Sequence, residues 1–207
     1  EIRVDFGVQS IGLKADVSNI QDANRIFESS LTKFDRVDVL VNNAGYPMVK
    51  ELWEKSFHEV SDDEFRSVLE VDLMGTIRCC RAVLPIMEKH GGGAIINVSS
   101  TPALVGYDKG AQYTIAKSAI LGLTKHLAYE YGSKGIRANT LVLGNIKTSA
   151  TYDSLSEDEQ KRLGEEPPLG RWGTPNDVAG VCLFLASDLS NFVTGQNFVV
   201  DGGTVIR

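Results

Sequence analysis

The chain has 207 residues, 43% of them hydrophobic and 23% charged, the composition of one ordinary globular domain. Lys and Arg total 21 against 27 Asp and Glu, a net charge of −6, which argues against binding nucleic-acid backbones or anionic membrane surfaces. No apolar run approaches the roughly 18 residues of a membrane span. The three cysteines, Cys79, Cys80 and Cys182, make no disulfide framework or metal-ligand pattern, so no metal site is expected and a reducing cytoplasm is the simplest setting.

Short β-branched runs alternate with longer helical stretches. In chain order the predicted elements are a strand over Ile11–Ala15, a helix over 20–34, a strand over Val37–Val41 and a helix over 61–90. A strand over Ala94–Ser99, a helix over 112–132 and a strand over Ile136–Leu143 follow. A helix over 175–187 and a strand over Asn197–Asp201 complete the set. The runs VDVLV and AIINV are apolar on nearly every residue, as in strands covered on both faces. The alternation reads as one α/β domain over 1–207 with a doubly wound, parallel, Rossmann-type sheet. Residues 148–173 are charged and poor in large apolar residues. They are expected to form an excursion with one short helix, either a plain surface loop or a lid over a site.

Chemistry concentrates in Ser99-Ser100 and in Tyr113-Thr114-Ile115-Ala116-Lys117. Tyr113 and Lys117 are one helical turn apart and share a face. A phenol ionises near pH 10, and a neighbouring ammonium favours its anion. At about 4 Å and an effective dielectric near 20 the attraction is roughly 4 kcal/mol, or about three pKa units before burial opposes it. Such a tyrosine could exchange protons with a substrate oxygen at working pH. Ser100, at a strand end, could hydrogen-bond the same oxygen. Alone, Tyr-x-x-x-Lys is a common surface pair.

The order of motifs makes it more. Ala15-Asp16-Val17, Asn42-Asn43-Ala44-Gly45, Ile96-Asn97-Val98-Ser99-Ser100, Tyr113 with Lys117, Gly144-Asn145-Ile146-Lys147-Thr148, Leu169 to Pro175 and Thr194 to Gly203 follow one another along the chain. In that order they resemble the short-chain dehydrogenases/reductases, nearest in look to 3-oxoacyl-carrier-protein reductases and glucose 1-dehydrogenase-like members. The resemblance implies an NAD(P)-dependent oxidoreductase acting on a small-molecule carbonyl or alcohol, with NAD or NADP as cofactor, assembled as a homotetramer. It implies Tyr113 as general acid/base, Lys117 as the group that lowers its pKa and binds the nicotinamide ribose, and Ser100 as the group holding the substrate oxygen. Asp16 and Val17 would contact adenine. Asn43, Ala44 and Gly45 would line the cofactor, and Ile146 and Thr148 would hold its carboxamide end. The alternative is a dehydrogenase-fold protein without turnover, acting as a binding or assembly subunit.

Three departures stand out. Asp72, in Val71-Asp72-Leu73-Met74-Gly75, occupies the place of the family's catalytic Asn and is kept as a catalytic candidate. Leu143 stands where the family has Pro. No glycine-rich phosphate loop occurs in this sequence. Ile11–Ala15 therefore aligns with the family's third strand, the first two strands of the sheet are missing, and an N-terminal segment is expected to precede this chain. The insert after Gly45, with Trp53, Phe57 and His58, is expected at the substrate mouth. The stripe Ile115, Ala119, Ile120, Leu123 and Leu127 suits either core or subunit interface.

Overall fold

A computed structural model of the chain describes residues 2–153 and 155–206, and Ser154 of the predicted excursion lies outside them. The elements in order are α1 (Ile2–Phe6), α2 (Ile20–Phe34), β1 (Val39–Asn42), α3 (Lys50–Trp53) and α4 (Asp62–Leu69). A π-helical stretch, Glu70–Gly75, leads into α5 (Thr76–Lys89), followed by β2 (Gly93–Ser100), α6 (Pro102–Val105), α7 (Ala111–Tyr131) and β3 (Ile136–Leu143). The chain then forms α8 (Ser149–Tyr152), α9 (Glu157–Glu165), α10 (Pro175–Ala186) and β4 (Asn197–Val200).

The four strands form one parallel sheet in the order β1-β2-β3-β4. Asn42 is paired with Asn97, and Ser100 with Leu143. Successive strand residues face opposite ways, and each face has its own core. On one side Ile95, Ile136 and Ala138 meet Ala23 and Phe27 of α2, Val83, Leu84 and Met87 of α5, and Leu127 of α7. On the other, Ile96 and Leu141 pack on Leu185 of α10. Each large side chain buried this way contributes about 1.5–3 kcal/mol. This is the expected α/β architecture.

Local signals set the helix ends. The Asn19 side chain accepts the Gln21 and Asp22 amides at 2.8 and 3.2 Å, starting α2 where the sequence places it. Thr174 and Asp177 form a capping box ahead of α10, with Pro175 in its first turn.

Four expectations change. Ile11–Ala15 is not a strand. No neighbouring strand offers it a ladder among the described residues, and local polar groups are met by α2 instead: Arg25 donates to the Lys14 carbonyl and the Asp16 amide donates to Asp22, both at 2.8 Å. The helix expected over 61–90 is broken by the π-helical stretch, whose wider turn leaves the apolar periodicity nearly intact and so escapes a periodicity reading. The excursion holds two short helices, α8 and α9, pinned where Trp172 donates to the Gln160 carbonyl at 2.7 Å and Asn145 to the Leu163 carbonyl at 3.0 Å. The α7 stripe divides: Ile120 and Leu127 are buried and Leu123 packs on the core, while Ile115 is exposed. No helix among the described residues is long and apolar enough to cross a membrane.

Candidate active site

The site lies where β1 and β2 end and α7 begins. Ser100 closes β2, half-buried, and donates to the Leu143 carbonyl at 3.2 Å. The preceding Ser99 donates to the Lys117 carbonyl at 2.8 Å, tying α7 to the strand end. Tyr113 stands in the first turn of α7, and Lys117 follows one turn on.

The start of α7 is built around Trp53. Gly110 has φ of 63°, and a Cβ there would fall 2.3 Å from the Trp53 ring. Only glycine therefore suits both the backbone and the close approach. The Gly110 amide donates to the Trp53 carbonyl at 3.0 Å, and the Gln112 side chain to the Leu52 carbonyl at 3.4 Å. The Trp53 ring meets Tyr113 edge-on, with centroids 5.5 Å apart, and lies against the exposed Tyr107 at 5.8 Å. Trp53 thus borders the site as the sequence suggests. Phe57 packs instead on Phe65, and His58 is exposed.

Lys117 is buried. Its Nζ lies 3.4 Å from the Val98 carbonyl, 3.8 Å from Asp72 Oδ1 and 5.5 Å from the Tyr113 ring centroid. Asp72, in the π-helical stretch, is fully buried. Its Oδ1 accepts the Tyr46 amide at 2.7 Å, its main-chain carbonyl accepts the Thr76 hydroxyl at 2.9 Å, and its Oδ2 has no hydrogen-bond partner among the described residues.

Burial dominates the electrostatics. It pushes the Tyr113 phenol above its usual range, opposed by the Ser100 hydroxyl and reinforced by the Asp72 charge. Burial lowers Lys117, and Asp72 opposes that. Burial raises Asp72, against Lys117 and the Tyr46 amide. Lys117 Nζ thus faces Asp72 as well as the Tyr113 ring.

The other singled-out residues border this cluster or sit further along the chain. Asn43, Ala44 and Gly45 are exposed at the end of β1. A Cβ on Gly45 would fall 3.1 Å from Asp72 Oδ1 and 4.0 Å from Lys117 Nζ, so the glycine lets the backbone come close to both groups. Asp16 is exposed, and its carboxylate accepts the Ser18 hydroxyl and amide at 2.7 and 2.9 Å, which hold it below the usual range. Val17 presses on Gly75, where a Cβ would meet it at 2.6 Å, and Arg78 donates to its carbonyl at 3.5 Å. The Asp16–Val17 turn is thereby seated on the stretch that carries Asp72. Ile146 is buried and bridges to Gly173, and the Thr148 hydroxyl lies 2.9 Å from that of Thr151 at the start of α8. No cluster of metal-ligating side chains occurs among the described residues.

A polar chain beneath the site escapes sequence reasoning. Asn42 donates to Asn97 Oδ1 at 2.9 Å, Asn97 donates to the Thr124 hydroxyl at 2.9 Å, and Thr124 and Thr140 are joined at 2.9 Å. All four are buried, so the end of β1, the middles of β2 and β3 and the body of α7 are held in one register. The only signal was polar residues inside otherwise apolar strand runs.

Comparison with known proteins places nearly the whole chain beside one family. A family model described as enoyl-(acyl carrier protein) reductase matches residues 1–205. A 3-oxoacyl-[acyl-carrier-protein] reductase of Synechocystis is 35% identical over 201 residues, covering 97% of this chain and 78% of the relative. An uncharacterised oxidoreductase of Mycobacterium tuberculosis is 39% identical over 198 residues, covering 96% and 78%. A solved structure from Burkholderia xenovorans, described as a short-chain dehydrogenase/reductase, superposes with a TM-score of 0.86 at 32% identity, covering 96% of this chain and 75% of that one.

Proposed function

The chain belongs to the short-chain dehydrogenase/reductase family of oxidoreductases, and we propose that it interconverts a carbonyl and an alcohol, with Tyr113 moving the proton. The observation that carries this reading is the meeting of three groups at one strand end. The Tyr113 phenol lies within reach of the Ser100 hydroxyl, with the buried Lys117 ammonium one turn below it.

The residues fit a nicotinamide dinucleotide. A Cβ on Gly45 would lie 3.1 Å from Asp72 Oδ1 and 4.0 Å from Lys117 Nζ, so only bare backbone stands beside these groups, next in sequence to the solvent-exposed Asn43 and Ala44. In this reading Lys117 donates to the ribose hydroxyls, and Asn43, Ala44 and Gly45 line the groove. Ile146 and Thr148 hold the carboxamide end, and Asp16 and Val17 meet the adenine. When bound, the cofactor supplies or accepts a hydride. The protein handles the proton. Ser100 donates a hydrogen bond to the substrate oxygen. Tyr113 gives that oxygen its proton in reduction and takes it back in oxidation. Burial favours the protonated phenol needed for donation, and the nearby Lys117 ammonium favours the phenolate needed to take the proton back. Trp53 fixes the tilt of the phenol ring and keeps water from its inner edge.

The relatives named as 3-oxoacyl-[acyl-carrier-protein] reductases support a 3-oxoacyl thioester as the first substrate to try. The segment 148–173 serves as a lid in this reading, and the working setting is the cytoplasm. The assembly is a homotetramer, supported by exposed Leu183, Leu189 and Phe192 along α10 and the turn after it. The test follows nicotinamide absorbance with NADH and NADPH against 3-oxoacyl thioesters, simple ketones and sugars. Turnover with one carbonyl class is expected. A protein that binds dinucleotide yet turns over none of them would favour the non-catalytic reading, for which the Asp72–Lys117 ion pair is the supporting observation.

A further inference from the structure

Two aromatic rings stand in series beside Tyr113. Trp53, half-buried at the end of α3, meets the phenol ring edge-on, and its other ring neighbour is Tyr107, which is half open to solvent. The residue before it, Leu52, is buried with Val60 and Val68. The buried Gln112 side chain and the Gly110 amide donate to the Leu52 and Trp53 carbonyls. Thus α3 is anchored through one residue and presents the next to the rings of Tyr107 and Tyr113. The apolar surface continues past the indole. Met48 and Val49 lead into α3, Val105 ends α6 two residues before Tyr107, and all three are exposed. Large apolar side chains open to water beside a reactive group mark a surface that a ligand covers.

We propose that Trp53 is the specificity-determining residue of this site and that, with Tyr107, it selects carbonyl compounds bearing an aromatic ring on the carbonyl carbon. This inference rests on the reading of Tyr113 as the proton carrier and names the substrate class of that same site. A carbonyl oxygen held by Ser100 and Tyr113 leaves its carbon with two substituents to place, and one of them falls on the ring beside the phenol. A flat ring there gains the edge-to-face or offset contact that aromatic pairs make at about 4.5–7 Å between centroids. A saturated ring of the same size covers the same surface without that gain. A hydroxylated substituent leaves its hydroxyls short of partners against apolar side chains. Sugars are therefore the poor class. Among 3-oxoacyl thioesters, the site favours a phenyl group on the keto carbon over an alkyl chain.

The experiment has two readouts. The first is fluorescence in a Trp172→Phe background, where Trp53 is the one tryptophan left. Acetophenone, added with NAD⁺ or NADP⁺ present, quenches it saturably, beyond the linear quenching of free tryptophan amide, and this readout needs no turnover. Tyr107→Ala in the same background weakens that binding. The second readout is kcat/KM for reduction of acetophenone, cyclohexyl methyl ketone and hydroxyacetone. Comparing ratios between variants cancels the intrinsic reactivity of each ketone. Trp53→Ala lowers the acetophenone-to-hydroxyacetone ratio by about tenfold or more, chiefly through KM. It lowers the acetophenone-to-cyclohexyl ratio by roughly two- to tenfold. Trp53→Phe, which keeps a ring, retains most of both ratios. A purely structural role for Trp53 lowers all three ketones alike and leaves the ratios where they were. If Trp53→Ala does not fold, Tyr107→Ala, a change at an exposed residue, reads the same ratios.

Quenching that is absent or only linear overturns the proposal. So do ratios that stay at the wild-type value in the variants. If acetophenone quenches Trp53 saturably but no ketone is turned over, the aromatic subsite stands and the functional reading fails. If ketones are turned over with ratios indifferent to Trp53 and Tyr107, the functional reading stands and this inference fails.

Discussion

Trp53 lies edge-on to Tyr113, with ring centroids 5.5 Å apart at 67°, and Gly110 is the residue that lets it come so close. The contact joins α3, from the segment after β1, to the first turn of α7.

Gly110→Ala tests this joint. The new methyl would meet the Trp53 ring at 2.3 Å on a backbone with φ of 63°. We expect a loss of about 1–3 kcal/mol in stability. It should be accompanied by a change in Trp53 fluorescence, separable from that of Trp172 in a Trp172→Phe background. Urea unfolding measures the first. An unchanged midpoint with unchanged fluorescence would show that Trp53 is not held as described.

The polar chain under the site makes a second prediction. Thr124 accepts from Asn97 and bonds Thr140, all fully buried. Thr124→Val keeps the shape but leaves Asn97 and Thr140 short of a partner. The expected cost is about 1–3 kcal/mol, larger than for an exposed threonine such as Thr32 changed in the same way. Equal unfolding midpoints for the two variants would contradict this.

Acid should destabilise the fold through several surface carboxylates. Glu64 is held at about 2 by Lys55 and by the Ser61 amide and hydroxyl, and Asp16, Asp22, Glu59 and Glu159 are also lowered by local hydrogen bonds. A depressed carboxyl contributes stability that is present above its unfolded value, near 4, and lost as pH falls through its folded value. Asp72, raised by burial, acts with the opposite sign: its share weakens as pH rises. Thermal midpoints should therefore fall as pH drops from about 5 toward 2. In Glu64→Gln that fall should be shallower. A slope identical to wild type would contradict the assignment of Glu64.

Assembly is tested on the exposed apolar residues around α10. Leu189 and Phe192 are open to solvent in the single chain. Light scattering should give four copies for the wild type and fewer for Phe192→Lys combined with Leu189→Glu. A wild-type monomer at micromolar concentration would refute the tetramer.

What was legible in the sequence was local. The helical run over 20–34 marks α2, the β-branched run marks β3, and Ser100, Tyr113 and Lys117 sit where the strand end and the helical spacing put them. What was not legible depends on partners distant in sequence. Ile11–Ala15 has the composition of a strand but no ladder beside it. The π-helical turn keeps the apolar rhythm of the helix around it. Asp72 is singled out only through the family resemblance, its distance to Lys117 being set by the fold, and Trp53 is expected at the mouth but not against Gly110. The spacing shows Tyr113 and Lys117 on one helix and is silent on the carboxylate opposite.

The most direct test of the account is the steady-state turnover of Tyr113→Phe beside the wild type on the best carbonyl substrate, with a cofactor titration on both. The variant keeps the ring that packs on Trp53 and loses only the hydroxyl. Turnover should fall at least 10²–10⁴-fold, roughly the range for a general acid/base, with cofactor affinity little changed because Lys117 and Asn43 remain. Lys117→Met should instead lower both. Near wild-type turnover in Tyr113→Phe would contradict the account.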